Sequence, residues 1–314
     1  MKTITQAFRT LLVFMLIFYC VGVYAQRKEV SYFNDSVEIC PLADKELIDS
    51  CYNLLDRNMM LETDGIYGQI AVIDATTSEV LAWASLEKQL DDDCGWCGDM
   101  VYVPFKKQVC STDIFVPFIA AKCLEKSNTS LGKMVDTECG ILEVNDSLKI
   151  RDHNWRRGGY GKVTFEKALL MKSRIGMYKA FMTMPNGADL WEQAYDTIQK
   201  SNAIELAISF NQMYHQKSSL EYVKKIATDI FEKTGIQHRL APRGIKLAGI
   251  YNIRQCDDNK RSSDEFTFVG CFPADNPKYT IGMVVVRPHK LPATIGMLSK
   301  EVNLLIEWLM NRKK

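Results

Sequence analysis

The sequence predicts an α+β domain, an antiparallel β-sheet covered by helices. Three observations lead there. Strand-like segments lie towards both ends of the chain, helix-period segments fill its middle, and one segment, residues 114–124, is apolar on nearly every side.

Residues 41–61 come first, with Leu47, Ile48, Cys51, Leu54, Leu55 and Met59 at helical period and charges opposite, which predicts an amphipathic helix. Residues 68–74 (GQIAVID) and 79–85 (EVLAWAS) read as two strands, and the small polar stretch 75–78 joins them as a hairpin. Residues 86–109 are acidic, contain cysteines and show no clear period, so they read as an excursion. Residues 111–126 (STDIFVPFIAAKCLEK) follow, and only Lys122 interrupts their apolar body. A helix apolar all round belongs in the middle of a domain. Pro117 is tolerated only in the first turn, so the helix is expected to begin near Asp113, with Asp113 as its cap. The free N–H groups and dipole at such a start can also serve chemistry.

Residues 129–157 read as irregular, with a turn at Arg156-Arg-Gly-Gly-Tyr-Gly161. Thr164 is a good N-cap for a helix from Phe165 to about Met184, ended by Pro185-Asn186-Gly187. Residues 188–215 and 219–233 have helical spacing, and Thr234-Gly235 stops the second. Strands are expected at 244–253, 266–272 and 279–286, with Pro273-Ala-Asp-Asn-Pro277 joining the last two. A helix at 294–310 closes the chain. No repeat, low-complexity tract or linker divides it, so one domain is expected.

At 314 residues, 47% apolar and 25% charged, the chain has an ordinary globular composition and can bury a large core. Its first 25 residues read as a secretory signal peptide. Lys2 and Arg9 form a basic start, residues 11–23 an apolar stretch, and Val23-Tyr24-Ala25 a cleavage site that makes Gln26 the new N-terminus. That stretch is short for a membrane span, which needs about 20 residues. The mature chain is therefore expected to be exported, periplasmic or envelope-associated, and without a transmembrane helix. Without Lys2 and Arg9 the 39 basic residues become 37 against 38 acidic, a net of −1. Nucleic acid is not an expected partner.

Ten cysteines less Cys20 of the signal segment leave nine: Cys40, Cys51, Cys94, Cys97, Cys110, Cys123, Cys139, Cys256 and Cys271. In an oxidising compartment some are expected to pair as disulfides, with an odd one left over. Cys94-Gly-Trp-Cys97 has redox spacing, but it follows three aspartates in a loop and lacks a strand-to-helix context, so a structural disulfide or an inert pair is the preferred reading. No second pair completes a zinc site, and neither a metal nor a cofactor is expected. Cys123 reads as a small core residue.

Several segments, in order, carry a resemblance. They are residues 68–86, Ile150-Arg-Asp through His153, Gly158-Gly-Tyr-Gly161, Ile245-Lys-Leu-Ala-Gly249, and Phe268-Val-Gly-Cys-Phe-Pro-Ala-Asp-Asn-Pro-Lys-Tyr279 with the apolar strand behind it. Together they resemble the transpeptidase domain of class B penicillin-binding proteins, in the serine-type D,D-transpeptidase and β-lactamase-like superfamily. The likeness runs from about Ile39 to Met310, which implies a signal peptide at 1–25, a short N-terminal segment at 26–38 and a transpeptidase-like domain at 39–312. No counterpart of the N-terminal pedestal domain and membrane anchor usual in that class is expected. The resemblance implies that family's fold and, for an active member, acyl transfer on the D-Ala-D-Ala stem peptides of peptidoglycan, with β-lactams acylating the same serine.

That chemistry needs a Ser-x-x-Lys pair on one helix face, a Ser-x-Asn, and a Lys-Thr/Ser-Gly on a strand edge. All three are degenerate here. The family's Ser-Thr-Phe-Lys-Pro-Phe falls on Asp113-Ile114-Phe115-Val116-Pro117-Phe118, so Asp113 replaces the nucleophile and Val116 its lysine. The second motif falls on Lys172-Ser173-Arg174 and the third on Ile250-Tyr251-Asn252. Aspartate has no hydroxyl to acylate, valine takes no proton, and isoleucine holds no carboxylate. Because the three motifs converge in the family, an ion pair between Asp113 and Lys172 is expected, with Arg174 near it.

The leading expectation is an exported pseudoenzyme with a binding or scaffolding role, its candidate partners being peptidoglycan or cell-wall synthesis proteins. The alternative is an active D,D-transpeptidase or carboxypeptidase using Ser111 or Ser173 as nucleophile. A thiol redox protein built on Cys94 and Cys97 is a weaker third.

Overall fold

The computed structural model describes residues 32–33, 36–37, 44–90, 98–103, 110–146, 148–196, 200–215, 221–258, 261–289 and 293–312. The signal segment, Cys40, Cys94 and Cys97 lie outside the described residues, as do the side chains of Cys110 and Cys256.

The first long element is α1 (Lys45–Arg57), capped by the Asp44 side chain, which accepts from Leu47 N, and continued by a π-helical turn, Asn58–Thr63. Its stripe of Leu47, Cys51 and Leu55 is buried, as the period predicted. Two strands follow, β1 (Tyr67–Asp74) and β2 (Val80–Leu90), paired antiparallel. Beyond them β3 (Gly98–Tyr102) pairs with β2 as an edge strand, so residues 86–109 are in part sheet where an excursion was expected. An edge strand with mixed polar residues lacks the clean alternation that marks a half-buried one.

The chain then runs through β4 (Cys110–Ser111) and a 3-10 turn, Thr112–Phe115, into α2 (Val116–Lys126). Val116, Pro117, Phe118, Ala120, Ala121, Cys123 and Leu124 are buried, so α2 is the core helix its composition predicts. Asp113 is not its cap. The N-cap is Phe115, which makes no side-chain cap bond, and Asp113 sits earlier, in the 3-10 turn.

Residues 129–157, expected to be irregular, hold three short strands: β5 (Met134–Asp136), β6 (Ile141–Glu143) and β7 (Lys149–Arg151). β6 pairs with β7, and β5 pairs with β8 (Lys162–Thr164). The single helix expected over 165–184 is broken into α3 (Phe165–Leu170) and α4 (Arg174–Phe181). Thr164 caps α3 as expected, accepting from Lys167 N. The break is at Lys172, whose φ of +53 is left-handed, and Ser173 then caps the restart by accepting from Gly176 N.

The helix expected over 188–215 is likewise two, α5 (Gly187–Asp196) and α6 (Ala203–His215), separated by β9 (Lys200–Ser201), which pairs with β4. The buried Asn202 accepts from Glu205 N and so stops one helix from running into the next. After α7 (Glu221–Glu232) and the short α8 (Gln237–Leu240) come β10 (Ala248–Asp258), β11 (Arg261–Phe272), β12 (Tyr279–Pro288) and α9 (Gly296–Asn311).

The main sheet has six antiparallel strands in the order β10-β11-β12-β1-β2-β3, which puts the first hairpin and the last three strands in one layer. Neighbours on β1 show its two faces. Gln69 Oε1 accepts from Ala203 N of α6, while Gly68 lies against α1 on the other side, where an added Cβ would be 2.8 Å from Leu55 Cδ1. Covered on both faces, β1 is buried from Tyr67 to Ile73. α6 packs on β12, β1 and β11, and α1 and α9 lie on the opposite side. α7 packs on β10, the open edge strand of the sheet, and on α2, which in turn packs on α4.

Among the described residues Cys51, Cys123, Cys139 and Cys271 form no disulfide, so the expected disulfides are not found there. Burial pushes the Cys51 thiol up to about 12 and Cys271 higher still, which leaves both as small apolar groups in the core. No helix among the described residues is long and apolar enough to cross a membrane.

Candidate functional site

Three separate stretches meet at the β10 edge. The 3-10 turn before α2 supplies Asp113, the left-handed turn between α3 and α4 supplies Lys172, and β10 supplies Tyr251 and Arg254. All three stretches were singled out in the sequence, and they do converge.

Their contacts differ from the expected pair. The Lys172 amine donates to the Tyr251 carbonyl oxygen and lies 3.9 Å from the centre of the Tyr251 ring. Tyr251 in turn packs on Phe231 of α7, ring centres 6.3 Å apart. Lys172 is thus held by a backbone acceptor and an aromatic face. The carboxylate of Asp113 faces Arg254, with Oδ2 at 3.8 Å from Nη1, and it acts on Lys172 only as a neighbouring charge. The direct Asp113–Lys172 ion pair gives way to Asp113–Arg254. Arg254 is long enough to reach round the strand edge, whereas the left-handed backbone at 172 aims the lysine onto Tyr251.

Burial lowers the Lys172 amine from 10.5 to about 7, and the Asp113 charge opposes that fall without cancelling it. Burial also raises the Tyr251 hydroxyl. The Asp113–Arg254 contact is partly solvated, with side chains 23% and 42% exposed, so it contributes about 0–1 kcal/mol.

The other positions fall as follows. Val116 is buried at the start of α2, and Ile250 is buried on β10, so neither presents a polar group to the cleft. Asn252 is half-buried on the same strand, and Arg174 is exposed at the start of α4. Ser173 is buried, and its hydroxyl is committed twice: it donates to the Asp152 carboxylate, at 2.8 Å from Oδ2, and accepts from Gly176 N at 3.0 Å. Ser111 pairs through its backbone with Lys200, and its side chain lies outside the described residues.

Two residues were missed. Asp152 is 1% exposed and binds both Ser173 Oγ and Ile175 N, thereby fixing the turn that carries Lys172. A lone acid within the basic run Lys149–Lys162 is a signal that its charge is used inward. Arg254 could have been found as the cation that follows Ile250-Tyr-Asn-Ile253 on the edge strand. Among the described residues no group of three His, Cys, Asp or Glu side chains could hold a metal ion.

The six-stranded sheet, the buried α2 and the helices at the β10 edge make up the fold of penicillin-binding protein transpeptidase domains. The chain is similar to a peptidoglycan glycosyltransferase from Burkholderia ambifaria, with TM-score 0.61 and 17% identity over 85% of this chain and 96% of that one. It is similar to the same degree, TM-score 0.61 and 17% identity, to the apo TP domain of penicillin-binding protein 3 from Burkholderia pseudomallei, over 85% of this chain and 94% of that one. No protein-family model and no curated protein matches the chain.

Proposed function

We propose that the chain is an exported, catalytically silent relative of the penicillin-binding protein transpeptidase domain, with a binding or scaffolding role in peptidoglycan or cell-envelope biology. On this reading residues 1–25 direct export, 26–38 form a short lead and 39–312 the domain.

One observation carries the reading. Where an acyl-transfer site needs a hydroxyl, a general base and a carboxylate-holding strand edge, this cleft presents Asp113, Val116 and Ile250, and its strand edge is occupied by Lys172 lying on Tyr251. Acyl transfer requires a nucleophile within hydrogen-bond reach of a base and with room for the acyl group. Ser173 has no room for an acyl group, since it is fully buried, its hydroxyl donating to Asp152 and capping α4. The two similar structures are a peptidoglycan glycosyltransferase and a domain of a penicillin-binding protein, and that supports the same ligand class for any surviving affinity.

The test is incubation of the purified protein with a fluorescent penicillin, read by gel and intact mass. Silence predicts an unchanged mass. A covalent adduct mapped to Ser111 or Ser173 would overturn the proposal in favour of an active D,D-transpeptidase or carboxypeptidase.

A further inference from the structure

We propose that the turn carrying Arg151, Trp155, Arg156 and Arg157 is a docking surface for an acidic polypeptide segment, a run of aspartate and glutamate side chains on a partner protein. Arg151 ends β7, and Trp155–Arg157 form a 3-10 turn just beyond it. The guanidinium carbons of Arg151 and Arg156 each lie 5.2 Å from the centre of the Trp155 ring. All three arginines are exposed, and among the described residues no carboxylate is in ion-pair contact with any of them.

Several other cations are ion-paired. Lys149 pairs with Glu143 and Lys179 with Glu138, while Lys225 and Lys233 share Glu166 and Asp229. The acid within the arginine run, Asp152, is turned inward onto Ser173. The turn therefore gathers three cations with no carboxylate in contact, in a chain whose totals, 39 basic and 38 acidic residues, are near balance. An aromatic face supports a guanidinium without neutralising it, and the planar fork remains available for bidentate carboxylate contacts.

The turn is also rigid before anything binds. Arg157 N donates to Asn154 O at 2.8 Å, Trp155 N to Asp152 O at 3.1 Å, and Gly158 N to Trp155 O at 3.2 Å. Gly159, at φ +70, lies so close to the β6 approach that an added Cβ would be 2.2 Å from Gly140 N. A preformed cluster loses little entropy on binding.

The surroundings favour a polypeptide over the other polyanions. Among the described residues the exposed large apolar side chains are Met60, Leu61, Tyr102, Met134, Met171 and Met182, none on this turn, so it shows no wedge to bury in a bilayer. Three guanidiniums within residues 151–157 match a few clustered carboxylates, whereas a nucleic acid backbone is met by a longer basic track. The inference is independent of the cleft reading, because Asp113, Lys172 and Tyr251 take no part in it.

The experiment titrates the mature full chain into fluorescein-labelled hexa-aspartate and follows anisotropy at low and at physiological ionic strength. Saturable binding is expected, weakened about ten-fold or more by the added salt. Arg156→Glu with Arg157→Glu is expected to abolish it, and Arg156→Ala with Arg157→Ala to weaken it, both with an unchanged melting temperature. No binding by the wild type, or equal binding by a folded charge-reversed variant, would overturn the proposal. So would tighter binding to phosphatidylglycerol vesicles or to a single-stranded oligonucleotide than to the peptide.

Discussion

Replacing Lys172 by methionine isolates the one charge that the cleft holds at a cost. Methionine keeps much of the side chain's length and its contact with Tyr251 while removing the amine. In the folded protein that amine titrates at about 7, against 10.5 when unperturbed. At about 1.4 kcal/mol per pH unit, the whole displacement corresponds to a penalty of about 5 kcal/mol for holding the ammonium in the fold. The residue is only half-buried and the nearby Asp113 charge favours the ammonium, so solvent and charge relaxation reduce this to an expected size of about 2–3 kcal/mol. The sign follows from proton counts. Between about 7 and 10.5 the unfolded chain binds more protons at Lys172 than the folded chain, so the stability of the wild type rises with pH across that window. Below about pH 7 the penalty is complete, and near 10.5 it has gone.

The assay is urea unfolding of the wild type and Lys172→Met at a series of pH values across that window, with each stability obtained by linear extrapolation. The constant offset between the two proteins mixes the lost bond to the Tyr251 carbonyl with the gain in apolar contact, so the slope is the readout. The stability of the wild type relative to the variant should climb by about 2–3 kcal/mol from the acid to the alkaline end. Cysteine titrations are common to both proteins and cancel. Parallel curves would refute the reasoning, because they would mean that the amine titrates as it does in water.

Ser173→Ala should destabilise the fold by about 1–3 kcal/mol, since it removes a helix cap and leaves the buried Asp152 short of a donor. Thermal melting reads this, and a stability unchanged from wild type would remove Ser173 from its capping role. Glu301→Gln tests a second buried acid, on α9, where Asn58 Nδ2 donates to Oε2 at 2.9 Å and burial raises the carboxyl. A raised acid favours the fold below its unfolded pKa and loses that advantage as pH rises through the folded value. The stability of the glutamine variant minus that of the wild type should therefore rise with pH, and a difference that falls or stays flat would contradict the burial.

The helix and strand content was legible wherever packing acts on a simple period. The stripe on α1, the apolar body of α2 and the last hairpin all follow that rule. What the period could not show were interruptions made by single residues. Lys172 takes a left-handed backbone between α3 and α4 because Asp152, twenty residues earlier in the chain, anchors Ser173 and Ile175. Asn202 likewise divides α5 from α6 through its bond to Glu205 N. Both are decided by contacts between side chain and backbone that leave the apolar spacing intact.

The candidate site was legible as positions and not as contacts. Asp113, Lys172 and Tyr251 were placed together by resemblance, and the fold brings them together at the β10 edge. The partners were not legible, because edge-strand geometry lets Arg254 reach Asp113 and turns Lys172 onto a carbonyl and a ring.

Intact mass after prolonged exposure to a penicillin, followed by peptide mapping, tests the central claim most directly. The account predicts no mass increase and unmodified peptides around Ser111 and Ser173, from protein that still melts cooperatively. A stoichiometric acyl adduct on either serine would contradict it.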